Sequence, residues 1–167
     1  MDDQDRTDVS PVADERATLA GFLQFQRETL AMKCTGLTTE QLRQRSVPPS
    51  AMSLLGLVRH MAEVERVWLR IRLSGEDIAY RWKRRPGDDV DFEIDDADPG
   101  EAFEAWDQEC ARSRDIVHAA ESLDITGRHR DQDYSLRWVL THMIEEYARH
   151  NGHADLLRER IDGATGE

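Results

Sequence analysis

The sequence predicts an all-α protein, a four-helix bundle with a long connection between its second and third helices. Three observations predict it. Four stretches of the 167-residue chain repeat apolar side chains at three- and four-residue spacing, the period of one helix face. Serine, aspartate and proline stand where these stretches begin, and glycine stands where several of them end. Two of the three connections are turn-rich, whereas the segment from residue 76 to 99 is long and irregular.

Taken in order, residues 1–11 are acidic and poor in apolar side chains and read as a loose tail. The single domain then spans residues 12–163, and residues 164–167 form a C-terminal tail. The first helix is expected over about residues 14–34, with Leu19, Phe22, Leu23, Gln26, Leu30 and Lys33 to Cys34 on its inner face and Gly36 as the stop. Residues 38–42 fit a short helical turn, and Pro48-Pro49 breaks the chain. The second helix starts after a cap at Ser50 or Ser53 and runs to about residue 73. Its apolar stripe is Leu54, Leu57, Val58, Met61, Val64 and Trp68, with His60 on the flank. The long connection holds the basic knot Arg81-Trp82-Lys83-Arg84-Arg85, then an acidic run, with a short strand expected over residues 90–94. The third helix opens at Asp98-Pro99, a cap followed by proline in the first turn, and reaches about residue 122. Residues 124–134 are turn-rich, and the fourth helix runs from about residue 135 to 161.

Composition excludes several classes of function. The formal net charge is −12, the wrong sign for nucleic-acid phosphates or an anionic membrane surface. Mean hydropathy is −0.69, and no apolar run is long enough to span a bilayer. The N-terminus lacks the basic and apolar regions of a signal peptide, so a cytoplasmic location is expected. Cys34 and Cys110 are far apart and read as two free thiols.

The fourth helix breaks its own pattern. Its seam runs Val139, Met143, Glu146, His150, His153, Leu157, in steps of four and three. The ends are apolar, and the middle carries a carboxylate and two imidazoles. Burying such groups costs several kcal/mol unless they are paired or bound to metal. Glu146 and His150 sit one turn apart and can grip one ion, and His60 can supply a third ligand from across the bundle. Two His and one carboxylate leave open positions on a divalent metal. The plainer readings stand beside this one. His60 fits a hydrogen-bonded boundary histidine, and Glu146 with His150 fits an i,i+4 pair on a solvated face. His142, one turn before Glu146, fits a boundary residue or one that orients Glu146, and His153 fits a residue that orients the ligands or walls a pocket, with ligation itself as the other reading. His118 and His129 have no such company.

Two segments carry a family resemblance. Leu55-Gly56-Leu57-Val58-Arg59-His60-Met61-Ala62-Glu63-Val64-Glu65 resembles the second-helix motif of the DinB-like superfamily. Ser135-Leu136-Arg137-Trp138-Val139-Leu140-Thr141-His142-Met143-Ile144-Glu145-Glu146, continuing through Tyr147, His150 and His153 to Asp155, is similar to its fourth-helix motif, in the wording of the actinobacterial DUF664 branch. The resemblance implies a homodimeric bundle that binds a divalent metal through His60, Glu146 and His150. Many relatives have histidine at the position of Glu146, but the mycothiol-dependent maleylpyruvate isomerases carry a glutamate there. Zn or Ni is the expected metal, with Fe, Mn or Co compatible.

The resemblance further implies a transferase or isomerase that uses a low-molecular-weight thiol such as mycothiol against a small electrophile. The metal would hold the thiol as thiolate. Arg81, Arg84 and Arg85 are candidates to meet an anionic substrate, against the reading of a solvated loop that balances its acidic neighbours. The alternative class is a non-catalytic dimeric bundle, metal-binding or stress-responsive. Metal-dependent hydrolysis is a third reading.

Overall fold

A computed structural model describes residues 6–82 and 90–166. It is an all-α bundle with one small hairpin. Helix α1 spans Glu15–Cys34, capped by Asp14, whose carboxylate accepts from the Ala17 N–H at 2.8 Å. A one-turn helix α2, Thr39–Arg43, begins with a reciprocal capping box between Thr38 and Gln41. Helix α3, Leu54–Glu65, is capped by Ser53 rather than Ser50, and Ser53 accepts from the Gly56 N–H at 3.1 Å. The chain then continues through a π-helical segment, Arg66–Leu73, where each turn takes an extra residue. Helix α4 is Pro99–Ala119, with Asp98 as cap, and ends a few residues before the expected limit. Helix α5, Leu136–Asp162, is capped by Ser135. No helix is long and apolar enough to cross a membrane among the described residues.

Two local expectations are corrected. The strand expected over residues 90–94 is instead a 3₁₀ turn, Val90–Phe92. A strand would send Asp91 and Phe92 to opposite faces. Here both reach α3, and the Phe92 ring fills the space that a Cβ on Gly56 would need, 2.8 Å away. The turn-rich residues 124–134 contain an antiparallel hairpin, β1 (Thr126–His129) with β2 (Gln132–Ser135), Gly127 opposite Tyr134. Its residues are too polar to show an alternating pattern. Gly127 lets β1 press against the end of the π segment, since a Cβ there would lie 2.0 Å from the Leu73 carbonyl oxygen.

The helices form a ring: α1 packs along α5, α5 meets α3, and α3 packs along α4. Leu30, Leu57, Met61, Leu140 and Met143 are sealed in the centre. Phe22, expected on the inner face of the first helix, is 47% exposed. A buried polar layer also crosses the core, one group from each long helix. Arg27 of α1 clasps Glu65 of α3 with two bonds of 2.7 and 2.8 Å. Tyr147 of α5 donates to Glu65 at 2.8 Å, and Trp106 of α4 donates to the Tyr147 oxygen at 2.8 Å. Sealed charges are tolerable because this layer satisfies them mutually. Both cysteines are buried free thiols.

The described part of the N-terminal leader lies along α1. Arg6 sits 4.5 Å over the Phe25 ring, and Thr7 donates to Glu28 at 2.8 Å. At the other end, Lys33 binds the Gly166 carbonyl and pairs with Asp155 at 2.6 Å.

Candidate metal centre

Three elements converge at the α3–α5 edge of the ring. His60 projects from α3, Glu146 and His150 project from α5 one turn apart, and Asp91 enters from the 3₁₀ turn. Ligand atoms of His60, Glu146 and His150 all lie within 4.8 Å of one another. The His60 and His150 rings are 4.7 Å apart, and His150 Nε2 lies 3.6 Å from Glu146 Oε2. The helical spacing read from the sequence therefore does bring these three side chains together.

Each member is held from behind. His60 Nδ1 lies 3.0 Å from Oδ2 of Asp91, which is fully buried. That contact leaves Nε2 as the free nitrogen of His60. The Phe92 ring stacks on His60 at 5.5 Å. His142 Nε2 lies 3.2 Å from Glu146 Oε1, so the two oxygens of that carboxylate face different imidazoles. His153 Nδ1 is 3.4 Å from His150 Nδ1, on the same face of α5. His142, Glu145 and Glu146 make a second close group that shares Glu146.

The electrostatics fit a cation. Hydrogen bonding from His150 holds the Glu146 carboxyl below the ordinary carboxylate value; burial opposes this, and the charges of His142, His150 and His60 support it. Burial, followed by the charges of His150 and Arg149, keeps the His153 pKa low. One carboxylate and two imidazoles, gathered at this spacing with one imidazole oriented by a buried carboxylate, match the donor set of a divalent transition metal with open positions.

One wall beside Glu146 is aromatic. Trp138 stacks on His142 at 5.0 Å, Trp68 meets the same ring edge-on at 4.3 Å, and Tyr134 of β2 touches both tryptophans. Arg72 lies 3.9 Å over Trp68. The π segment supplies Trp68 and Arg72, and the hairpin supplies Tyr134. Trp138 is 45% exposed rather than packed in the core.

The other candidates fall elsewhere. The backbone N–H groups of Arg81 and Trp82 donate to the buried Glu63 at 3.0 and 3.1 Å, which ties the start of the long connection to α3. The Arg81 guanidinium lies by Gln108 and the Trp82 ring, away from the three ligands. Arg84 and Arg85 lie outside the described residues. A large cavity borders Phe92 and is lined by Arg45, Arg59 and Trp82, but by none of the three ligands. Asp91 and the aromatic wall were not legible as site residues. Asp91 is one of several acids in an acidic run, and only its burial marks it. The sole hint for Trp138 is His142 four residues later on the same helix.

A protein-family model described as Mycothiol-S-transferase matches residues 18–163. No curated protein matches the chain.

Proposed function

The chain belongs to the mycothiol-S-transferase family, and from that premise we propose that it moves the sulfur of a low-molecular-weight thiol, mycothiol or a close analogue, onto a small electrophile with the help of one divalent metal. The observation that carries the metal is the convergence of His60, Glu146 and His150 within 4.8 Å. An ion held there would lower the pKa of a bound thiol and keep it as thiolate near neutral pH.

The chain's own residues supply the rest. Asp91 fixes the ring of His60, and His142 braces the outer oxygen of Glu146. Glu146 contributes one negative charge to the donor set, which leaves a divalent ion with net positive charge to attract a thiolate. Trp138 and Trp68 make an apolar approach on one side, suited to excluding water from a carbon electrophile. The buried thiols of Cys34 and Cys110 leave the sulfur nucleophile to come from outside. The reaction forms a carbon–sulfur bond, expels the leaving group of the electrophile with its electron pair, and releases the thiol proton.

The test is thiol-dependent turnover. The purified chain, metal-loaded, is mixed with mycothiol and monochlorobimane, and the fluorescent thioether is followed. We expect a protein-dependent rate that chelator removes and His150→Ala lacks. A protein-dependent rate that survives both would overturn the metal role. A large fall in melting temperature on chelation, with no turnover, would favour the non-catalytic bundle instead.

A further inference from the structure

The candidate metal centre occupies the α3–α5 edge of the ring. The opposite edge, between α1 and α4, is built differently. Among the described residues α1 and α4 make little direct backbone approach, in contrast to the tight α1–α5 and α3–α4 pairs. Arginines bridge the gap instead. Arg16 of α1 donates to the carbonyl oxygens of Val117 and Ala120 at 3.0 and 2.8 Å, and Arg114 of α4 donates to Gln24 at 3.3 Å. Between these bridges lies a groove of about 440 Å³, within the size range of small-molecule sites.

The groove has an apolar floor and a basic edge. Leu23 and Leu140, at 2% and 0% exposure, form the floor, with Ala20 and Val117 on the walls. Arg27 reaches the groove from the core and is 5% exposed. Its Nε and Nη2 are taken by Glu65, and Nη1 carries no hydrogen bond among the described residues. Arg114 and His118 stand on the rim. The rim carboxylate, Asp14, is occupied as the cap of α1. A chain with net charge −12 thus gathers three arginines around one apolar slot.

We propose that this groove is a second binding site, separate from the metal centre, for a small amphiphilic carboxylate. The apolar body lies on Leu23, Leu140 and Val117, and the carboxylate meets Arg114 and the free Nη1 edge of Arg27. Glu65 already neutralises much of the Arg27 charge, so the slot suits a monoanion rather than a phosphate dianion. A cation of the same length meets Arg16, Arg27 and Arg114 there, with only the capping carboxylate of Asp14 to attract it.

The experiment is calorimetric titration of the full, metal-loaded chain with decanoate, and with decyltrimethylammonium as the same-length cation. Decanoate is expected to saturate at one molecule per chain, and the cation not to bind. Arg114→Glu should weaken decanoate roughly tenfold, the effect of losing one charge-assisted hydrogen bond. Ala17→Trp, which fills the mouth, should abolish binding. Both positions are exposed, so the fold tolerates the changes. Metal content should stay as in the wild type, and metal-stripped protein should bind decanoate equally well. No saturable decanoate binding below millimolar, equal binding of the cation, unchanged affinity in both variants, or loss of binding on metal removal would each overturn the proposal.

Discussion

Nδ1 of His60 lies 3.0 Å from Oδ2 of Asp91, a carboxylate with no exposure to solvent. This pair sets which nitrogen of His60 faces Glu146 and His150. Asp91→Asn keeps the volume and removes the charged acceptor. The substitution should weaken metal binding roughly 10- to 100-fold, the usual effect of losing a carboxylate behind a histidine ligand. Competition against a chromogenic chelator measures it, with circular dichroism to show that the helices persist. An unchanged affinity would mean that Asp91 serves packing alone.

The buried Arg27–Glu65 pair predicts a large and pH-dependent stability effect. Removing one partner of a sealed ion pair costs about 3–5 kcal/mol, so Arg27→Met should lose that much in urea unfolding at pH 7. Burial pushes the Glu65 pKa up, but the charge and hydrogen bonds of Arg27, with the bond that Tyr147 donates to Glu65, more than offset this, so the folded value lies below the ordinary one. Its contribution is therefore full above the unfolded value, about 4.3, and is lost as pH falls through the folded value. In Arg27→Met the burial remains and the cation is gone, so the carboxyl rises above its unfolded value and the sign reverses. The gap between wild type and variant should be widest at pH 7 and narrow toward pH 4. A gap that does not change with pH would contradict this reading.

Gly127 and Gly152 should respond oppositely to alanine. At Gly127 the new Cβ meets the Leu73 carbonyl at 2.0 Å, while at Gly152 it meets nothing within 4 Å. Gly127→Ala must displace the hairpin from the π segment and should cost more than about 2 kcal/mol. Gly152→Ala, in the exposed middle of α5, should gain about 0.5–1 kcal/mol from helix propensity. Thermal melts of the two variants check both signs.

The two cysteines should be inert in the folded protein. Burial raises the Cys34 thiol to about 12, and burial with the nearby Glu65 charge raises Cys110 as well. At pH 8 both sit far below their titration range and carry almost no thiolate. Iodoacetamide at that pH should label neither in the native state and both in urea, as read by intact-mass analysis. Rapid native labelling of Cys110 would reopen it as an internal nucleophile.

Part of this architecture was legible because helices announce themselves locally. Asp98 caps the third long helix as expected, and Ser53 is one of the two caps offered for the second, since capping needs only a short side chain and the next turn. Glu146 and His150 came from the same local rule, because a charged residue in the middle of an apolar seam is visible in one dimension. What depends on distant partners was not visible. Arg27, Glu65 and Glu109 look like surface charges on their own helices, and only assembly of the ring shows that they are buried. The hairpin is polar throughout and is held by the fit of Gly127 against Leu73, a contact 54 positions apart in the chain. The 3₁₀ turn that delivers Asp91 replaced an expected strand for the same reason, its conformation being set by packing on α3.

His60, Glu146 and His150 are proposed to hold one divalent ion. Elemental analysis by plasma mass spectrometry tests it most directly, on the full chain beside Glu146→Ala and His150→Ala. About one ion per chain is expected in the wild type, lost from both variants while their helical circular dichroism is kept. Stoichiometric metal in His150→Ala, or none in the wild type after supply of Zn and Ni, would contradict it.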